Sequence, residues 1–435
     1  MKRLSCGLRV LGLLLTLAFG PAHADLTAVE SRIVEAIKAR SPAALALLEK
    51  SVNINSGTLN TEGVKGVGRV FRAELDELGF ATRWIDMPAT MARAGHLAAQ
   101  REGTHGKRLL LLGHMDTVFE PSSPVAPWKA DGPRIRGQGV SDMKGGVVVL
   151  LEALRALKSV GVLDGATVGV LLTGDEESVG QPIAQARADL AEMAKKSDVV
   201  LSFEGMGLDV NGEESMATAR RGAGGWILTV TGKQGHSSRI FSVEGGYGAA
   251  YELARIVNAF REQLIEPGLT FGAGVMMAGT EVDFDPAQAR GAAAGKSNVI
   301  PPHAMARGDL RALTAEQRDR ARSRMRDIVA QSLPGTSATI KFAESYPPMA
   351  ATAANQALLE SYSQLSVELG FGRVKAANPE SRGAGDVQFA APYAAGLDGL
   401  GASGGGAHSP LEYLLPESIE KNAIRAALMI YRLTR

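Results

Sequence analysis

Three apolar runs that each end in a polar cluster set the tightest limits on this fold. KRLLLLGHMD (107–116), ATVGVLLTGDEE (166–177) and DVVLSFEG (198–205) alternate with helix-patterned MKGGVVVLLEALRALKSVG (143–161) and a helical segment near 182–196. Short apolar runs bounded by such signals read as buried strands. Strands that alternate with helices predict an α/β layered domain with a mostly parallel sheet. Upstream, residues 27–50 and 62–79 carry helical periodicity, and ARAGHLAAQ reads as a weaker strand.

From about Gly222 the rhythm changes. GGWILTVTG, LTFGAGVMMAG, HAMARGDLRAL and SATIKFAES are strand candidates; GGYGAAYELARIVNAFREQL and TAEQRDRARSRMRDIVAQSL are helix candidates. The β-α-β-β-α-β order predicts a compact α+β, ferredoxin-like module. Helical material resumes afterwards in ANQALLESYSQLSVELG and PESIEKNAIRAALMIYRLTR, so the module reads as an insertion. The expected division is 25–220 with 346–435 for the first domain and 221–345 for the insertion. The Gly and Ala clusters at 291–295 and 401–406 read as loops.

The first 24 residues combine Lys2, Arg3 and Arg9, an apolar stretch from Val10 to Phe19, and Ala22-His23-Ala24. This is the plan of a secretory signal peptide, and it predicts export to the periplasm or medium after cleavage near Ala24. Cleavage would leave 435 − 24 = 411 residues and remove Cys6, the single cysteine, so no disulfide is expected. The charge balance becomes 47 − 3 = 44 basic against 46 acidic residues, which gives no electrostatic case for nucleic acid or an anionic membrane. No later segment is long and apolar enough to predict stable membrane insertion.

Without His23, 7 − 1 = 6 histidines remain. His114 ends one strand, Asp142 precedes a helix, Asp175-Glu176-Glu177 follow a second strand, Glu204 follows a third, and His408 sits in a Gly-rich loop. In a parallel sheet the C-terminal strand ends share one edge, where ligands bind. Imidazoles and carboxylates converging there suit zinc, and a carboxylate can bridge two ions. Cations would also turn the repulsion among three adjacent acids into attraction. Asp116 is spaced to accept the second N–H of the His114 ring. Taken singly, GHMDT reads equally as a hydrogen-bonded strand end, TGDEES as a solvated loop, and His408 as a loop histidine. The joint arrangement carries the signal.

GHMDTV, SDMKGG, TGDEESVG, SFEG and GAHSP, in this order, resemble the di-zinc peptidases and deacylases. That family includes glutamate carboxypeptidase, acetylornithine deacetylase and succinyl-diaminopimelate desuccinylase. The resemblance implies a zinc-peptidase-like catalytic domain with a lid that also forms a homodimer interface. It implies two zinc ions, with Asp142 bridging, His114 and Glu204 on one ion, and Glu177 and His408 on the other. Glu176 would be the general base and Asp116 would orient His114. GKQGHSS in the insertion matches the lid motif and gives His236, which would polarise the scissile carbonyl across the dimer. SNVIPPHAMARGDLR matches the clamp region and gives Asn298 and Arg311 for a substrate carboxylate. SRGAGD resembles the glycine-rich substrate loop but is shorter than its usual pattern, and SPLEY after His408 departs from it. The implied activity is metal-dependent hydrolysis of N-acyl amino acids or peptides with a free C-terminal carboxylate, closest to secreted glutamate carboxypeptidases. An acetylornithine-deacetylase-type deacylase and a non-catalytic exported binding protein are the alternatives.

Overall fold

The computed structural model describes residues 26–124, 127–209, 211–285, 290–343 and 345–435; the expected leader lies outside them. The chain begins with three helices, α1 (Ala28–Lys38), α2 (Ser41–Val52) and α3 (Thr61–Glu77). Thr27 and Glu30 form a reciprocal capping box at the first of these. Pro42, in the first turn of α2, accompanies the break inside what periodicity reads as one helix.

Strands β1 (Ala81–Ile85), β2 (His96–Arg101) and β3 (His105–His114) follow, then α4 (Gly145–Ser159), β4 (Ala166–Thr173), α5 (Ala188–Lys195) and β5 (Val199–Ser202). The chain then leaves through β6 (Gly222–Gly232), α6 (Gly248–Gln263), β7 (Thr270–Gly279), β8 (His303–Ala312), α7 (Ala315–Ala330) and β9 (Thr336–Ala343). It returns with α8 (Ala353–Glu368), β10 (Ala395–Asp398) and α9 (Glu417–Thr434).

The first sheet has the order β1-β2-β4-β3-β5-β10. β3 pairs in parallel with β4 and β5, and β10 in parallel with β5, whereas β1 and β2 are antiparallel. Leu109 to Leu112 of β3 and nearly all of α4 are buried, as expected of a central strand and a helix enclosed by other layers. Because β3, β4 and β5 run the same way, His114, the acids after Thr173, and Glu204 all emerge at one edge.

The second sheet has the order β7-β8-β6-β9 and is fully antiparallel. The helices α6 and α7 contribute to a separate core with Trp226, Leu228, Val230, Ile256, Phe260 and Met325, in which Trp226 meets Phe260 edge-on at 5.7 Å. This is the ferredoxin-like arrangement. One expectation is corrected: Arg290–Ala294 is not a loop but a strand paired antiparallel with Glu281–Asp285. Its Gly- and Ala-rich composition hides it, because small side chains give no alternation to read. The two regions meet where the Arg220 and Met349 backbones exchange hydrogen bonds of 3.0 Å.

Candidate metal centre

The C-terminal edge of the first sheet gathers two donor sets. His114, Asp142 and Glu204 place one ligand atom each within 4.8 Å of one another, and so do Asp142, Glu177 and His408. Asp142 belongs to both. His114 Nε2 lies 3.2 Å from Asp142 Oδ1 and 3.4 Å from Glu204 Oε1. His408 Nε2 lies 3.2 Å from Asp142 Oδ2 and 3.1 Å from Glu177 Oε2. The two oxygens of one carboxylate therefore face different sets. Donors about 2.0–2.2 Å from a tetrahedral ion should stand roughly 3.3 Å apart, so these separations fit.

The protonation pattern points the same way. His114 Nδ1 faces the Asp116 carbonyl at 3.0 Å and Asp116 Oδ1 at 3.4 Å, both acceptors, so that nitrogen carries the proton. In the neutral ring Nε2 then turns a lone pair toward two carboxylate oxygens. Only an added proton or a cation relieves that. Burial opposes a charged His114, yet Asp116, Asp142 and Glu204 lift its pKa well above the ordinary value. Hydrogen bonds to Asp142 and Glu177 hold His408 at about 10. Burial raises Glu177 to about 7 and also raises Glu204 and Glu176, each with carboxylate neighbours adding to it. Among the described residues Glu177 Oε1 is buried without a hydrogen-bond partner. Such a site binds excess protons without metal and favours divalent cations in their place.

Surrounding residues fix these groups. The Asp116 carboxylate accepts from Thr58 Oγ1 at 2.7 Å and from the backbone N–H groups of Glu176 and Glu177 at 3.0 and 3.1 Å. It thus orients both acids as well as the imidazole. Gly146 of the SDMKGG stretch allows close approach, since a Cβ there would stand 1.9 Å from the Phe203 carbonyl oxygen, beside Glu204. His408 adopts the left-handed backbone region at φ 63, uncommon for a non-glycine residue and held here at the mouth of the site.

Two readings of the acids need correction or addition. Asp175 does not join the donors. It is buried against Arg187 at 2.6 Å, and Arg187 also holds Asp386 at 2.7 Å, so a buried arginine offsets this charge. Glu412, within the stretch set aside as unusual, accepts from the N–H groups of Gly139, Ser141 and Asp142 at 2.9, 2.8 and 3.0 Å. It shapes the loop that carries Asp142. An acid between Leu411 and Tyr413 was the signal available in the sequence.

The lid residues lie elsewhere. His236 and Asn298 come together through the short ladder Gly235–His236 with Val299–Ile300, and Ser237 N–H donates to Asn298 O at 2.9 Å. Arg311 sits on β8 beside Asp309 at 3.2 Å. None of the three lines the cavity of about 640 Å³ that contains Asp142, Glu176, Glu177, Glu204 and His408. His236 Nδ1 accepts from Ser238 N–H at 3.2 Å, so the neutral ring keeps its proton on Nε2 as an exposed donor.

Residues 110–432 match the family described as Peptidase family M20/M25/M40. The chain is 30% identical over 413 residues to Carboxypeptidase G2 of Pseudomonas sp. (strain RS-16), covering 92% of this chain and 91% of that protein. It is 27% identical over 262 residues to a succinyl-diaminopimelate desuccinylase of Sphingopyxis alaskensis, covering 58% of this chain and 64% of that one. In fold it is similar to aminopeptidase PepT from Bacillus cereus, with a TM-score of 0.70 at 16% identity over 90% of this chain and 98% of that one. A dinuclear metal-binding peptidase of the M20 family from Bacillus subtilis gives 0.61 at 16% identity over 91% and 99%. The chain belongs to Peptidase family M20/M25/M40 and is a hydrolytic metallopeptidase.

Proposed function

We propose that this metallopeptidase is a carboxypeptidase-type exopeptidase. It hydrolyses the amide that joins an acyl or peptidyl group to an amino acid with a free carboxylate, and glutamate is the preferred leaving residue. The observation that carries this reading is the pair of donor sets sharing Asp142, with Glu176 beside them. His114 and Glu204 would hold one cation and Glu177 and His408 the other, with Asp142 available to both. Zinc suits these donors, and a bound pair supplies Lewis acidity toward the amide carbonyl and a water acidified to near neutrality.

Glu176 takes the proton of the attacking water and returns it to the leaving nitrogen. Burial raises its pKa, the direction a group that must hold and then release a proton requires. Asp116 keeps Glu176 and His114 in register through the hydrogen bonds described above. The exposed Nε2–H of His236 donates to the carbonyl oxygen as charge develops there. Asn298 and Arg311 grip the α-carboxylate. The lid residues reach the cavity by closure within a homodimer built through the lid. The leader sends the enzyme to the periplasm or medium.

Similarity to Carboxypeptidase G2 over most of both chains supports the carboxypeptidase reading, and the motif resemblance to glutamate carboxypeptidases supports the glutamate preference. Similarity to the desuccinylases supports a second reading, a deacylase of short acyl groups. Release of free amino acid by zinc-loaded protein lacking residues 1–24 tests both. The panel holds a folate-type glutamate conjugate, an N-succinyl amino acid and N-acetylornithine. The glutamate conjugate should turn over fastest; faster turnover of either other compound replaces the first reading with the second.

A further inference from the structure

Two arginines share the cavity with the metal-centre acids: Arg220 and Arg382. Their surroundings differ. Arg220 is buried and engaged, with Nε donating to Asp398 Oδ2 at 2.6 Å, Nη1 to the Gly383 carbonyl at 2.6 Å, and Nη2 facing the same aspartate. Among the described residues Arg382 has one hydrogen bond, from Nη2 to the Gly205 carbonyl at 2.9 Å. Its Nε is buried without a partner, and among the described residues no carboxylate pairs with it. Gly207 leaves its head room, since a Cβ there would stand 3.1 Å from Arg382 Nη1. Asp398 is ion-paired with Arg220, so it leaves the Arg382 guanidinium without an ion pair of its own at this wall. Burial and the neighbouring Arg220 work against its charge and outweigh the support from Asp398, Glu204 and Asp142. An anion in the cavity would offset the cost.

We propose that Arg382 is a specificity-determining residue that binds a second carboxylate of the substrate, distinct from the α-carboxylate assigned to Asn298 and Arg311. The proposal rests on the cavity being the amide-hydrolase site described above. It supplies the role that the SRGAGD stretch leaves open. The ligand is a carboxylate on a short arm, carried either by the side chain of the leaving amino acid or by the acyl group. The acids at the metal centre do not compete for Arg382 once cations occupy it.

Two matched pairs separate the sources: N-acyl-glutamate with N-acyl-glutamine, and N-succinyl with N-butyryl on one amino acid. In the unsubstituted enzyme, kcat/KM should favour the charged member of one pair by on the order of 10- to 100-fold, the range of a charged hydrogen bond. Preference in the first pair places the carboxylate on the leaving side; preference in the second places it on the acyl side. Arg382→Gln should collapse that ratio, and Arg382→Met, which keeps the aliphatic stem, serves if the glutamine variant does not fold. No charged preference in either pair, an unchanged ratio in the variants, or equal losses for both members would overturn the proposal. The same ratios are read as binding affinities in zinc-loaded Glu176→Gln. Absent turnover in the unsubstituted zinc-loaded enzyme, with the binding ratio intact, would then remove the hydrolase reading and keep the subsite.

Discussion

His114 and His236 are assigned to one active site by the motif order, yet the fold treats them in opposite ways. His114 is 1% exposed, with its ring fixed by Asp116 and its free nitrogen aimed at two carboxylates. His236 is exposed, and among the described residues its ring hydrogen bonds are both to Ser238, two residues away on the same loop. The metal edge is thus assembled inside one chain by buried supports, whereas the lid residues stand ready on a surface and need movement or a second copy. Buried supports make the first set stiff and dependent on its neighbours. The second set is free of such dependence and also of any local means of aiming its donor.

The sharpest way to break that contrast is to remove the base from the stiff half. Glu176→Gln should lower kcat by about 100- to 10,000-fold, the range for a positioned general base. Zinc content by elemental analysis should stay unchanged. Wild-type-like turnover would end the assignment of Glu176. Next in size is the lid. His236→Ala should cost roughly 100- to 1,000-fold in kcat, as for a lost oxyanion donor. Its melting temperature should match the parent, since an exposed position away from the core changes stability by about 0.5 kcal/mol or less. A large drop in melting temperature or in metal content would show that the two halves are not independent.

Four of the five candidate donors were legible because each sits at a strand end or helix start whose periodicity is strong; His408, in a Gly-rich loop, rested on the order of the motifs. The LLLL run of β3 and the LL of β4 fix the strands, and parallel pairing then brings His114, Glu177 and Glu204 to one edge. The ferredoxin-like order of the lid was legible for the same reason. Supports between distant segments were not. Glu412 reaches Asp142 across 270 positions, and Arg187 reaches Asp386 across 199. Such contacts leave no local period, and a buried acid looks the same in a sequence as a solvated one. Asp175 misled for that reason, because adjacency to Glu176 says nothing about which way a side chain turns.

Glu412 offers a smaller test, one confined to the stiff half. It touches no reacting atom and acts by positioning the Asp142 loop. Glu412→Ala should weaken metal affinity by roughly 10- to 100-fold, the cost of losing a supporting residue behind a ligand. A chelator titration measures this, and activity should return at raised zinc concentration. Loss of activity that zinc does not restore would mean that Glu412 serves the fold rather than the ligand.

The smallest effect expected is a reversal of slope with pH. Without metal, His408 is held at about 10, above its ordinary 6.5, and Glu177 at about 7, above 4.5. Both groups bind a proton more tightly folded than unfolded. The stabilisation from His408 is complete below pH 6.5 and is lost as pH rises toward 10. The penalty from Glu177 grows as pH rises from 4.5 to 7. Both push the same way, so the metal-free protein should lose stability as pH rises. Metal reverses the sign, because its ligands must be deprotonated and binding strengthens as protons leave. Urea midpoints from about pH 5 to about pH 8 should therefore fall with pH in chelator and rise with pH in zinc. Parallel trends in the two conditions would show that cations do not replace protons in this cluster, and the contrast between a stiff metal edge and a free lid would lose its electrostatic basis.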